Sequence, residues 1–168
     1  KSVQNTRKIT KAMEMVAASK MKKAQERMRR GRPYAQRLLN ITMHAARANT
    51  EYKHPLLTRR ETVKRVGVVV ITTDKGLCGG LNTNVLRLVL NQHKEWLTKG
   101  IEVEYCAIGN KGFSFIQRMG GKVVSQVTNY GDHPALDRLI GPVQMLIVGF
   151  LEGRLDEVHI FSTRFVNT

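Results

Sequence analysis

From Lys1 to about Asn49 the chain is built of Lys, Arg, Met, Ala, Gln and Leu, and nothing before Gly31 and Pro33 interrupts these good helix formers. The pattern predicts one long helix. Continued past Pro33 to about Tyr52, at roughly 1.5 Å per residue, it would extend about 80 Å and would have to protrude from any small domain. Gly31-Arg32-Pro33 marks the place for a kink or a break, because proline removes one hydrogen bond and crowds the preceding turn. In the first half, Ile9, Ala12, Met13, Val16, Ala17 and Ala24 share one side of the helix, whereas Met15, Ala18, Met21 and Met28 fall on others. The segment from Ala12 to Ala18 is therefore apolar nearly all round, and a helix of that kind is normally enclosed. Lys20, Lys23 and Arg27 then take over the direction of Ile9, Met13 and Val16, which implies two different neighbours along one helix. Further on, Tyr34, Leu38, Ile41, Ala45 and Ala48 recur at spacings of 4, 3, 4 and 3, the pattern of a coiled coil or of a helix docked on a sheet domain. Plain packing of this seam, against an α/β domain or a second helix, is the expectation.

After His54-Pro55 the texture changes. Val63 to Thr72 is β-branched and nearly continuous, which predicts a strand buried on both faces of a parallel sheet. A glycine-rich loop, Lys75 to Gly80, leads to Asn82, a candidate cap for a helix running to about Lys99. Strands are then expected over Ile101–Ile108, Lys122–Thr128 and Glu157–Phe165, with helices over Asn110–Met119 and Pro134–Glu152. Four strands alternating with three helices predict an α/β fold, a mostly parallel sheet with right-handed crossovers. The expected division is a helical shaft over residues 1–54 and an α/β domain over 55–168.

Charge sharpens that division. The chain holds 28 Lys and Arg against 13 Asp and Glu, a formal net charge of +15. Residues 1–65 carry 18 of these cations and 4 acids, whereas residues 66–168 carry 10 and 9, so the excess belongs to the helix. A basic arm suits nucleic acid, because Lys and Arg dominate phosphate contacts. Residues 1–30 nevertheless contain no aromatic for base stacking, and their methionines and alanines suit a protein surface with an apolar collar and an acidic patch. The alternative is a nucleic-acid-binding arm on an α/β platform. The longest apolar stretches, such as Val66–Ile71 and Met145–Leu151, fall well short of a membrane span. Cys78 and Cys106 form no C-x-x-C pair, so neither a disulfide framework nor a zinc site is indicated.

Enzyme chemistry finds little support. The glycine loop reads Gly76-x-x-Gly79-Gly80 where a dinucleotide fingerprint needs G-x-G-x-x-G, and Glu102 and Glu104 stand at the start of the second strand instead of its far end. No Walker pattern is present either, so no cofactor is expected. Asp74 has no partner at catalytic spacing and reads as structural or as a cap, and the five histidines show no metal-ligand spacing. Cys78, beside Lys75, reads as a small apolar filler before it reads as a reactive thiol.

Particular runs carry a resemblance. Ser2 to Lys20 (SVQNTRKITKAMEMVAASK) and Thr73 to Asn82 (TDKGLCGGLN) resemble the gamma subunit of F-type ATP synthase, of bacterial type. Glu51–Pro55, Leu139–Pro142, Glu152–Asp156 and Phe165–Thr168 extend the likeness over essentially the whole chain. The resemblance implies a non-catalytic central rotor shaft coupling proton-driven rotation to ATP synthesis. It also implies a Rossmann-like domain outside a collar of alternating alpha and beta subunits, beside the epsilon subunit and the membrane c-ring, with no nucleic acid involved. Met13, Val16, Lys20, Lys23, Arg29 and Arg30 would face the collar, and Asp74, Lys75, Gly76, Leu77 and Cys78 would approach an acidic segment of beta. The implied location is peripheral, on the cytoplasmic face of the bacterial inner membrane. The family's long carboxyl-terminal helix and a short front stretch are missing from this sequence, which implies a fragment unable to transmit torque by itself. With that helix missing, Ile9, Met13 and Val16 are expected to be disordered or to pair with another copy.

Overall fold

A computed structural model describes residues 2–48, 54–132 and 134–167. The chain divides into two compact units, Lys1–Lys53 and His54–Thr168. In the first, helix α1 (Ser2–Arg47) runs for 46 residues, about 70 Å at 1.5 Å per residue. It passes through Gly31 and Pro33 without interruption, so of the kink or break marked there no break forms. Proline costs one hydrogen bond in a helix interior, and the Arg, Met, Gln and Leu on either side hold the helical state across that single loss. His44 and Arg47 in the last turn complement the negative end of the helix dipole. The expected continuation to Tyr52 lies outside the described residues.

The second unit contains β1 (Arg65–Ile71), α2 (Leu81–Thr98), β2 (Glu102–Ile108), α3 (Asn110–Arg118), β3 (Lys122–Val127), α4 (Leu136–Leu151) and β4 (Glu157–Phe161). The strands form one sheet in the order β3-β2-β1-β4, and every adjacent pair is parallel. β1 is interior because its residues can be buried on both faces: Val66, Val68 and Val70 point to one side and Val69 to the other. The first side joins Val103, Tyr105 and Ala107 of β2 with Val85, Val89 and Trp96 of α2 and Ile116 of α3. On the opposite side, Cys106 and Ile108 meet Leu146 and Phe150 of α4 and the following Leu155. Gly67 of β1 makes room there, since a Cβ at that position would lie 2.8 Å from Leu155 Cδ1.

Two local expectations are corrected. Asn82 does not cap α2: the helix starts at Leu81 behind Gly80, and the Asn82 amide turns back to the loop. β4 ends at Phe161 and does not reach Phe165, because β1 pairs with it only as far as the Val70–Phe161 position and itself stops at Ile71.

The loops at the carboxyl edge of the sheet are drawn together. Thr72 N–H donates to Ile108 O, Gly109 N–H to Val127 O and Lys111 N–H to Thr73 O. Gly109 takes φ +98, and a Cβ there would meet Thr72 O at 2.3 Å, so only glycine permits this approach. At the amino edge, Asp156 accepts Lys64 N–H and Arg65 N–H at 2.8 Å each, joining the start of β1 to the approach to β4. The Lys64 N–H holds its carboxyl below the usual range against a smaller desolvation penalty, with Arg65 N–H adding to the effect.

Candidate functional site

The first candidate surface is α1 itself. Ile9, Ala12, Met13, Val16, Ala17 and Lys20 line an apolar groove along one side of it. Met13, Met15, Val16 and Met21 are all more than half exposed, and none of the residues of α1 is buried. The enclosure that the apolar girdle implies is thus not supplied among the described residues. Nor are residues 9, 13 and 16 irregular, as they belong to the continuous helix. Lys20, Lys23, Arg29 and Arg30 are exposed on the same helix, beyond the girdle. Tyr34, Leu38, Ile41, Ala45 and Ala48 are exposed along α1 and its end as well.

The second candidate is the loop from Asp74 to Gly80, between β1 and α2. Asp74 supplies its stem: one carboxylate oxygen accepts Asn110 N–H at 3.0 Å and Asn129 N–H at 2.9 Å, and the other accepts Tyr130 N–H at 3.0 Å. One side chain thereby ties the loop after β1 to the first residue of α3 and to the loop after β3. The Tyr130 hydroxyl donates to Thr72 O, and burial together with the nearby Asp74 charge pushes its phenol pKa up, so it stays a donor. Thr72, the one buried polar residue among those described, accepts Gly112 N–H at 2.8 Å.

Above this stem the loop is tightly held. Thr73 Oγ1 donates to Lys75 O, Thr73 N–H donates to Asn82 Oδ1, and Asn82 Nδ2 donates to Thr73 Oγ1 at 2.8 Å. The same amide reaches Cys78 Sγ at 3.3 Å, which leaves that thiol half-buried as a packing and hydrogen-bonding group. Leu77 projects from the crest at 103% relative exposure with φ +59, and Lys75 and Lys111 are exposed beside it. The prominence of Leu77 was signalled in sequence only by an apolar residue set among glycines in a loop. Nothing in sequence signalled the parts of Thr72, Asn129 and Tyr130.

Other polar clusters are structural. Glu104 lies between Lys122, at 2.8 Å, and Arg154. Burial opposes its ionisation, but the Lys122 hydrogen bond and the Arg154 and Lys122 charges prevail and hold its carboxyl below the usual range. This places the acid at the amino edge of β2, far from where a ribose-binding carboxylate would stand. Tyr105 and His93 share a 2.9 Å hydrogen bond. Burial pushes the Tyr105 phenol up, so its hydroxyl stays protonated in this pair. Among the described residues no group of His, Cys, Asp and Glu is arranged to hold a metal, and no helix is long and apolar enough to cross a membrane.

Together these features define a Rossmann-like α/β domain preceded by a long basic helix with uncovered apolar positions. A family model described as ATP synthase matches residues 1–168. The chain is 56% identical over 168 residues to the ATP synthase gamma chain of Thiobacillus denitrificans, covering all of this chain and 58% of that protein. It is 60% identical over 170 residues to the ATP synthase gamma chain of Azoarcus sp. (strain BH72), covering all of this chain and 59% of that one. It belongs to the ATP synthase gamma-chain family. The chain spans somewhat under two thirds of the length of these relatives.

Proposed function

We propose that this chain forms the amino-terminal shaft and middle domain of the central rotor stalk of a proton-translocating F-type ATP synthase. The observation that carries the reading is similarity across all 168 residues to proteins named ATP synthase gamma chain. On this reading α1 threads a collar of alternating alpha and beta subunits. The girdle around Met13 and Val16 then meets apolar walls, and Lys20, Lys23, Arg29 and Arg30 meet acidic groups. Exposed ion pairs contribute only about 0 to 1 kcal/mol each, so the charges set register and attraction while the apolar girdle supplies most of the contact. The α/β domain sits outside the collar, with the epsilon subunit and the membrane c-ring as neighbours, at the cytoplasmic face of the bacterial inner membrane.

The chain performs no bond chemistry in this account and binds no cofactor. A proton gradient contributes roughly 2.3 kcal/mol per charge per 100 mV. A rigid shaft delivers that work by presenting a different face to each catalytic subunit, so that each beta conformation is favoured by the surface it meets. That is coupling through an element with different contacts in each state. Co-expression of the chain with alpha and beta subunits tests the reading. A complex that survives size-exclusion chromatography is expected. Elution of the chain apart from an assembled alpha–beta ring would refute it.

A further inference from the structure

We propose that Met13, Met15 and Met21 make α1 sensitive to oxidation before assembly: a peroxide converts their thioethers to sulfoxides in the free chain, and the oxidised helix no longer enters the apolar surface that encloses it. The inference rests on the stalk reading above and adds a covalent control to it. Three of the seven methionines in the chain fall between residues 13 and 21, within and just beyond the apolar girdle. Each is more than half exposed on a continuous helix, so a peroxide reaches the sulfur without any opening of the fold. Met13 also lines the groove formed with Ile9, Ala12, Val16 and Ala17. At about 100° per residue, Met15 and Met21 stand about 200° and about 80° round the helix from Met13. A partner on one side of α1 could be met by a face that carries no methionine. A surface that surrounds the helix leaves no such choice, so every orientation brings at least one of these sulfurs against it.

The peroxide balances the step. A sulfur lone pair attacks one peroxide oxygen, the O–O bond breaks as the S–O bond forms, and the second oxygen leaves as water. The thioether is oxidised and the peroxide reduced, and methionine sulfoxide reductases reverse the product. The modification turns a flexible apolar side chain into a polar one with a strong acceptor oxygen. In the free chain that oxygen stays hydrated, because no residue of α1 is buried among those described. Against an apolar wall it loses its water without gaining a donor, which opposes docking. Met145 of α4 is as exposed as Met21, but it belongs to the other compact unit and lies outside the girdle, so its oxidation leaves the docking surface of α1 unchanged.

The test treats the chain with hydrogen peroxide, maps sulfoxides by mass spectrometry, and measures affinity for assembled alpha and beta subunits before and after treatment. A fall of about tenfold or more is expected, the scale of an acceptor buried without a donor, and a sulfoxide reductase should restore binding. The variant carrying Met13→Leu, Met15→Leu and Met21→Leu keeps apolar volume and helix propensity, and its own affinity should change less than twofold on treatment. A second reading needs no variant: in partly oxidised chain, the fraction that enters the complex should be depleted of sulfoxide at Met13, Met15 and Met21 but not at Met145. Oxidised chain that binds within twofold of the untreated chain, or equal sulfoxide in the bound and unbound fractions, would overturn the proposal and leave the stalk reading intact. A treated triple variant that loses affinity as the unsubstituted chain does would place the damage elsewhere and also overturn it, as would a loss of helical ellipticity on treatment. If the untreated, unsubstituted chain does not bind, the stalk reading itself fails and the proposal with it.

Discussion

At the scale of single residues, Asp74 links positions separated by 36, 55 and 56 residues through its three hydrogen bonds. Removing a charged acceptor from several backbone donors is costly, so Asp74→Ala is expected to lower unfolding stability by about 2 to 3 kcal/mol, read from urea unfolding. A loss under about 0.5 kcal/mol, the level of a neutral surface change, would show that the loops hold together without it. His93 offers a second check. Burial lowers its pKa below the ordinary 6.5, so the unfolded chain takes up the proton first. The stability this neutral imidazole contributes is complete above pH 6.5 and is lost as pH falls through the folded-state pKa. Urea midpoints should therefore decline on acidification from neutral pH, and the decline should be shallower in His93→Gln, which cannot titrate. Equal slopes in the two proteins would contradict the assignment.

At the scale of elements, most of the fold was legible. Continuous β-branched runs such as Val66–Ile71 admit only a strand buried on two faces, and glycines after periodic segments mark where helices stop. Boundaries were less legible where a distant neighbour decides them. β4 stops where β1 stops pairing, and Asn82 turns to Thr73 and Cys78 instead of capping α2. The loop from Asp74 to Cys78 could be located in sequence, but its rigidity could not, because its ties come from the first residue of α3 and the loop after β3. Gly109→Ala should be among the most damaging small substitutions, costing about 3 kcal/mol or more by adding a Cβ against Thr72 O at a left-handed φ. A normal unfolding midpoint for that variant would contradict the close approach. In α1, Pro33→Ala restores one backbone hydrogen bond within a continuous helix and should raise helical ellipticity. Unchanged or lower ellipticity would contradict the continuity of α1.

At the scale of the whole molecule, the uneven charge and the uncovered apolar girdle describe one requirement. A net charge of +15 concentrated before residue 66 would by itself suit any polyanion. The exposure of Met13, Met15, Val16 and Met21 on different sides of one helix is what calls for an enclosing apolar surface, and nucleic acid offers none. Likeness to ATP synthase gamma chains gives the family, and the proposed rotor account joins that family to this requirement. Its central claim is that α1 is surrounded by protein. Methionine oxidation footprinting of the chain alone and with assembled alpha and beta subunits tests this most directly, with exposed Met145 of α4 as an internal reference. The account predicts that Met13, Met15 and Met21 oxidise readily in the free chain and become protected together in the complex. Oxidation of all three at the same rate in both states would contradict it.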